Sequence, residues 1–385
     1  MYRSPLRDSA HSLKRSNFSY LISTAGLAMS PTLESAAGDR AAVAANSTSP
    51  RSPPLSAAEV SSILSQLASD THRSDPVRCR KSAARIRALA TESDRNRRRL
   101  ANSGAACVLA AAFRTCAAGC AASLDILSEI LSALVLVYRI DDEEIFCEIG
   151  SPESLDAIVS ILKSGDMSGK LSAVLVLKQI VSFDGDLARA AARMDGLIET
   201  LLKLITDPIS PKGKKAAQLA AFHLASCSEE WMEATFVRMG VVSLVLESLV
   251  DSESEKRVGE AALSALDRLC GCELGREKAY GNALTVPVLV KKIFGFSDLA
   301  TDLALSSLWK LCKNWEGEKE EGREGGCVVE ALQVGIFMKL LMLLQVECRE
   351  GVKERATELL RFLNGYEKGL GCIDSKDFRG LRRPV

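Results

Sequence analysis

The chain has 385 residues, of which 47% are apolar and 5% aromatic, and its 49 Lys and Arg residues balance 49 Asp and Glu residues. Zero net charge excludes a general polyanion binder, which would carry a basic excess, and the apolar content excludes a wholly disordered chain. No stretch reaches about 18 consecutive apolar residues, so no membrane span is expected. Because the apolar residues are mostly Ala, Leu, Val and Ile, and Ala and Leu are strong helix formers, the composition favours an all-helical fold.

The N-terminal segment differs in composition from the rest of the chain. Residues 1–55 are rich in Ser, Ala and Pro and end in Ser-Pro-Arg-Ser-Pro-Pro, which predicts a disordered leader. Lys14 and Arg15 precede a short apolar run that starts at Phe18, so residues 1–35 weakly resemble a transit or signal segment. We interpret the segment as an unstructured leader, with an organelle-targeted repeat protein as an alternative.

From residue 56 the sequence becomes nearly continuous amphipathic helix, and two markers repeat along it. Glycines that precede an apolar helical run recur at spacings of 46, 46, 44, 41 and 54 residues: Gly104, Gly150, Gly196, Gly240, Gly281 and Gly335. Another helix in each repeat carries three residues at positions i, i+4 and i+7, which lie on one helix face. These sets are Ser82/Ile86/Leu89, Leu127/Leu131/Leu134, Ala173/Leu177/Ile180, Ala217/Ala221/Leu224, Ala262/Leu266/Leu269, Ala304/Leu308/Leu311 and Ala356/Leu360/Leu363.

A period of roughly 40–47 residues with two or three helices is the signature of armadillo and HEAT repeats. The sequence therefore predicts an all-α, armadillo-type right-handed superhelical solenoid of about seven helical repeats over residues 56–366. A charged, Gly-rich insertion at 316–326 explains the longest step between repeats, and residues 367–385 form a polar C-terminal tail.

The sequence offers few groups for catalysis or metal binding. Its three histidines are His11, His72 and His223, and it contains no phosphate-binding glycine loop, GxSxG elbow or HExxH motif. Its twelve cysteines have no zinc or redox spacing, and several lie in apolar helical runs: Cys107, Cys227, Cys270 and Cys312. We expect buried, reduced thiols in a cytoplasmic or nuclear protein, with no metal and no cofactor.

One position of the repeat predicts a binding surface. In an armadillo array the third helices line a groove, and the residue before the final aliphatic of each set points towards it. These residues are Ala88, Ala133, Gln179, His223, Arg268, Lys310 and Phe362. The last five of them form the candidate protein-binding groove: Gln179, His223, Arg268, Lys310 and Phe362. The basic residues of three successive repeats within this groove predict an acidic or phosphorylated partner segment. The alternative is a solvated face with ordinary charges.

A second basic run lies in the first repeat, between Arg78 and Arg99. A solvated helix face is the more common explanation of such a run, and the aromatic residues that would stack on bases are missing. No nucleic-acid partner is expected.

Several segments resemble the armadillo region of plant U-box E3 ubiquitin ligases. They are PLSAAEVSSILSQL from Pro54, LSSLWKLCKN at 305–314, CVVEALQVGIFMKLLMLLQVECREGVKERATELLRFLNGY at 327–366 and CIDSKDFRGLRRPV at 372–385. The context of Trp309 and the closing Leu-Arg-Arg-Pro are the most distinctive matches. The resemblance implies a substrate-recognition armadillo region in the protein ubiquitination pathway.

The same resemblance leaves enzymatic activity open. In that family a U-box, which binds the ubiquitin-loaded E2, precedes the armadillo repeats. Its Cys-Pro-Ile and Tyr-Asp-Arg segments do not occur here, and the Asp-Pro-Val at residues 75–77 lies within the first predicted repeat. We expect a chain without a U-box, which would bind E2 only if a U-box is supplied elsewhere and has no activity alone. A non-enzymatic armadillo scaffold or adaptor is the alternative function.

Overall fold

The computed structural model describes residues 55–119, 123–139, 143–251, 256–315 and 326–365. The predicted leader up to residue 54, residues 316–325 of the predicted insertion and the predicted tail lie outside the described residues. All regular secondary structure in these ranges is helical, without a strand.

The helices follow a three-helix repeat. The first repeat contributes α1 (Ala57–His72) and α2 (Pro76–Glu92) within the described residues, and each later repeat contributes a short first helix, a second helix and a third helix. These are α3 (Asp94–Asn102), α4 (Ala105–Ala118) and α5 (Leu124–Val137); α6 (Glu143–Ile149), α7 (Pro152–Ser164) and α8 (Met167–Phe183); α9 (Gly185–Ala192), α10 (Leu197–Thr206) and α11 (Pro211–Ser226); α12 (Glu230–Arg238), α13 (Val241–Asp251) and α14 (Lys256–Leu269); α15 (Glu273–Tyr280), α16 (Thr285–Lys292) and α17 (Asp298–Lys313); and α18 (Gly326–Gln333), α19 (Ile336–Gln345) and α20 (Glu350–Asn364).

The chain divides into two compact units, Met1–Leu187 and Ala188–Val385. In the N-terminal unit the third helices α2, α5 and α8 pack against one another in succession. In the C-terminal unit the third helices α11, α14, α17 and α20 do the same. Each unit therefore presents a row of adjacent third helices.

The seven predicted sets of core residues all lie on third helices, and nearly all of their members are buried. The two exceptions are Leu89 on α2 and Leu360 on α20, which are half-buried. Both belong to the outermost third helices of the described repeats. A terminal third helix packs against a third helix on one side only, so part of its apolar face stays exposed.

The repeating glycines join the first and second helices of a repeat. Gly104, Gly196, Gly240 and Gly335 have φ of 77°, 70°, 84° and 83° and directly precede the second helix. Only glycine enters this left-handed conformation without steric cost. The two remaining glycines of the series have ordinary backbone angles, because their second helices begin later, at Pro152 and at Thr285.

Side-chain caps explain where several third helices begin. The side chains of Asp75, Asp166, Ser210 and Ser297 each accept a hydrogen bond from a backbone N–H in the first turn of α2, α8, α11 and α17. Asp and Ser are favoured at this position because their oxygens satisfy an N–H that has no partner within the helix. The start of each third helix fixes which of its residues face the neighbouring repeat.

The cysteines only partly follow the expectation of buried thiols. Cys270 and Cys312 are buried, Cys227 is half-buried and Cys107 is exposed on α4. The expectation was wrong for Cys107, because a Cys in an apolar helix lies on whichever face its register gives it. Cys270 and Cys312 are free thiols.

In the part of the chain that the structure describes, no single helix is both long and apolar enough to cross a bilayer. Two consecutive helix pairs reach the required length and hydropathy only when joined across bends of 71° and 65°.

Candidate protein-binding groove

The predicted groove residues are divided between the two units. Gln179 lies on α8 in the N-terminal unit, whereas His223, Arg268, Lys310 and Phe362 lie on the four third helices of the C-terminal unit. All five are half-buried, so they lie at the surface of the third-helix rows. At the same repeat position Ala88 is exposed but Ala133 is fully buried, so this position does not reach the surface in every repeat.

A polar cleft of about 430 Å³ opens in the C-terminal unit and brings two of the predicted residues together. Arg268 and Lys310 both line it. The other lining residues are Ser226, Glu230, Glu233, Ser264, Asp267 and Gly271. His223 and Phe362 are not among the lining residues.

Arg268 is held by a buried carboxylate on another helix. Its Nε lies 2.7 Å from Oε1 of Glu233, which projects from α12 and has only 4% of its side chain exposed. The Nε itself is buried, although 41% of the Arg268 side chain is exposed. A partner that binds Arg268 must therefore use the terminal amino groups of the guanidinium.

Lys310 is held by the neighbouring third helix. Its Nζ lies 2.8 Å from Oδ1 of Asp267 and donates a hydrogen bond of 2.6 Å to the Asp267 backbone carbonyl. Asp267 directly precedes Arg268 on α14. Each of the two basic side chains of the cleft therefore has its own acidic partner: Glu233 for Arg268 and Asp267 for Lys310. The structure thus pairs Arg268 and Lys310 with acids, and the cleft has three carboxylates and two cations along its wall.

Burial raises the pKa of Glu233 above its ordinary value, although the positive charges of Arg268 and Lys310 oppose the shift. A carboxylate in this position is costly to ionise unless a cation is close. The Glu233–Arg268 pair is consequently a coupled unit in which each charge depends on the other. Breaking it leaves a buried carboxylate without its nearest cation.

His223 and Phe362 do not line the cleft, but both have structural contacts within the C-terminal unit. The backbone carbonyl of His223 accepts hydrogen bonds from the Cys227 N–H and from the Ser226 hydroxyl, which ties the end of α11. The Phe362 ring packs edge-to-face on Trp309, with ring centroids 5.7 Å apart. His223 lies on α11, which also contributes Ser226 to the cleft, and Phe362 lies on α20, the third helix next to the one that carries Lys310.

Sequence reasoning missed both acidic partners. Asp267 occupies the position before the groove residue in its repeat, and that position has no common residue type from repeat to repeat. Glu233 lies on the first helix of the repeat, where no periodic signal points to the third helix. Among the described residues no group of three or more His, Cys, Asp or Glu side chains is placed to hold a metal ion.

A comparison with known families identifies the repeats. The family model described as "Plant U-box protein ARM repeat region" matches residues 59–382 of this chain. The chain belongs to this family. Both the predicted family and the predicted all-α armadillo fold are therefore confirmed.

Individual relatives in the plant U-box family agree with this assignment. "U-box domain-containing protein 21" of Arabidopsis thaliana is 34% identical over 333 residues, which cover 86% of this chain and 74% of the relative. "E3 ubiquitin-protein ligase PUB23" of Arabidopsis thaliana is 29% identical over 222 residues, which cover 56% of this chain and 51% of that ligase. An engineered protein of known crystal structure has the same fold, with a TM-score of 0.50 at 19% identity over 85% of this chain and 89% of its own.

Proposed function

We propose that this chain acts as the substrate-recognition armadillo region of a plant U-box-type E3 ubiquitin ligase. Its contribution to ubiquitination is to hold a protein substrate on the third-helix groove. Transfer then depends on bringing a substrate lysine next to an E2 thioester, which is catalysis by proximity. The placement of Arg268 and Lys310 in one cleft is the observation that supports this function most directly.

The proposed ligand of the cleft is an acidic or phosphorylated segment of the substrate. Glu233 occupies the Nε side of Arg268, which leaves the terminal amino groups for a second anion. Arginine binds carboxylate and phosphate through such paired N–H groups, and the bonds are stronger than those between neutral groups. Lys310 adds a second cation within the same cleft.

Under the proposal, a U-box outside residues 54–385 supplies the E2-binding step, because the resemblance over those residues is to the armadillo region alone. The chain acts in the cytoplasm, with a fraction in the nucleus. Imaging of a fusion tagged at the C-terminus tests the location, and a signal confined to an organelle would contradict it.

Affinity purification from plant tissue tests the substrate-binding function. The wild-type chain is compared with the double variant Arg268→Gln/Lys310→Gln and with the control Arg238→Gln/Lys278→Gln, which neutralises two exposed cations of the same unit. We expect the groove variant, but not the control, to lose a set of proteins whose ubiquitination falls in plants that lack this chain. Circular dichroism establishes that both variants keep their helices.

An unchanged set of captured proteins would reject the groove as the binding surface. Captured proteins whose ubiquitination does not depend on the chain would favour the scaffold function instead. A separate reaction with E1, a panel of E2 enzymes and ubiquitin tests the assignment of the U-box. Robust ubiquitin chain formation by this chain alone would contradict that assignment.

A further inference from the structure

We infer that the substrate segment bound at Arg268 and Lys310 also carries a basic residue, and that this residue is received by Glu230, which lines the cleft, and by Trp231, the next residue of α12. The inference rests on the proposed function, because it concerns the same segment. It changes the expected ligand from an acidic segment to one that carries both signs of charge.

The cleft has one more carboxylate than it has cations. Glu233 pairs with Arg268 and Asp267 pairs with Lys310. Glu230 also lines the cleft, on the exposed side of the first turn of α12. It forms no ion pair or hydrogen bond with any side chain that the structure describes. A cation that approaches Glu230 therefore displaces no existing partner.

A fixed and exposed aromatic ring follows Glu230 in the chain. Trp231 is 65% exposed, the highest value among the large apolar side chains in the described ranges. Its Nε1 donates a hydrogen bond of 2.6 Å to Oε2 of Glu229, and Glu229 in turn forms an ion pair with Arg193. These bonds orient the ring before any partner arrives.

A lysine or arginine side chain fits the chemistry of these two neighbours. Trp is the aromatic residue that attracts cations most strongly, and a nearby carboxylate adds an ion pair. Trp is also one of the residue types enriched at the energetic centres of protein interfaces. An acidic group would instead meet repulsion from Glu230, so the anion of the segment belongs at Arg268 and its cation at Glu230 and Trp231.

Fluorescence anisotropy with the purified full chain and defined peptides tests the inference. Labelled Gly-Ser peptides carry phosphoserine alone, aspartate alone, arginine alone, or phosphoserine and arginine together at a series of separations. In a matched peptide of each pair the arginine is replaced by glutamine. The protein variants are Glu230→Gln, Trp231→Ala and Arg268→Gln, with Glu247→Gln and Met338→Ala as exposed controls from the same unit.

We expect the best phosphoserine–arginine peptide to bind the wild type about three- to ten-fold more tightly than its glutamine counterpart. Glu230→Gln and Trp231→Ala should each reduce this ratio, and the two control variants should keep it. Glu230→Gln should also strengthen binding of the phosphoserine-only peptide, because it removes a repulsive charge. A role of Glu230 in folding alone would not produce these opposite changes.

Equal affinity for the arginine and glutamine peptides at every separation would overturn the inference. A different result would contradict the proposed acidic ligand itself: neither the phosphoserine nor the aspartate peptide would bind better than the uncharged host peptide. Tighter binding of the arginine peptides that survives in Glu230→Gln and Trp231→Ala would place the cation elsewhere and would also overturn the inference.

Discussion

The Nε of Arg268 lies 2.7 Å from Oε1 of Glu233, and this contact joins the third helix of a repeat to its own first helix. Arg268 is partly exposed, while the Glu233 side chain is 4% exposed. The buried carboxylate of Glu233 therefore holds the partly exposed guanidinium of Arg268 in a fixed orientation at the surface. The same two helices also provide Glu230 and Asp267, so one junction between helices defines most of the charge in the cleft.

Loss of this anchor should weaken anion binding without removing a cation. In Glu233→Gln the guanidinium of Arg268 is no longer held by a charge, so it must be ordered when a ligand binds. We expect affinity for the phosphoserine peptide to fall about three- to ten-fold, measured by fluorescence anisotropy, since ordering a long side chain costs roughly 0.5–1.5 kcal/mol. Glu247→Gln, an exposed change on α13, should leave the affinity unchanged. An equal loss in both variants would argue against a positioning role.

The raised pKa of Glu233 predicts how stability depends on pH. The folded protein binds the Glu233 proton more tightly than the unfolded chain does, because burial penalises the carboxylate. This contribution to stability is complete below the unfolded value of 4.5 and is lost as the pH rises through the folded pKa. The glutamine in Glu233→Gln does not titrate. The urea concentration at the unfolding midpoint of the variant should therefore rise relative to that of the wild type as the pH is raised from about 4 to about 7. A difference that stays constant or shrinks across this range would contradict the shift.

The left-handed Gly240 should tolerate alanine less well than Gly281, which belongs to the same series of glycines. Gly240 has φ of 84° and open space around its missing side chain, so Gly240→Ala is penalised by backbone strain alone. We expect a loss of about 1–2 kcal/mol in the free energy of unfolding, measured with urea. Gly281→Ala is the matched control, because its φ is −69° and the added carbon would meet only ordinary contacts. We expect that change to be neutral or slightly stabilising. Equal losses at both positions would show that strain is not the cause.

The loss of stability caused by a core substitution should depend on how deeply that position of the repeat is buried. Leu266→Ala removes a fully buried side chain from α14 and should cost about 2–5 kcal/mol in the free energy of unfolding. Leu360→Ala changes the equivalent residue of α20, which is half-buried, and should cost less. Urea unfolding of the two variants measures the difference. A larger loss at Leu360 would contradict the interpretation of α20 as a terminal third helix.

The fold was predictable because its signals are local. Burial of Leu127, Leu177 or Leu308 follows from apolar residues on one helix face, and this pattern recurs with the length of a repeat. The two glycines without a left-handed backbone show the limit of the same reasoning. Gly150 and Gly281 mark the boundary between helices correctly, but their conformation depends on how many residues follow before the second helix begins.

The candidate site was predictable only in part. Arg268 and Lys310 could be placed on neighbouring third helices, since both occupy the same position of the repeat. The sequence by itself determined the period, the buried face of the third helices and the side from which these two cations project, because each depends on residues within one helix. Only the tertiary structure decided that Glu233 holds Arg268, that Asp267 holds Lys310 and that Glu230 is left unpaired. Charge pairing depends on distances between helices, and no spacing along the chain encodes those distances.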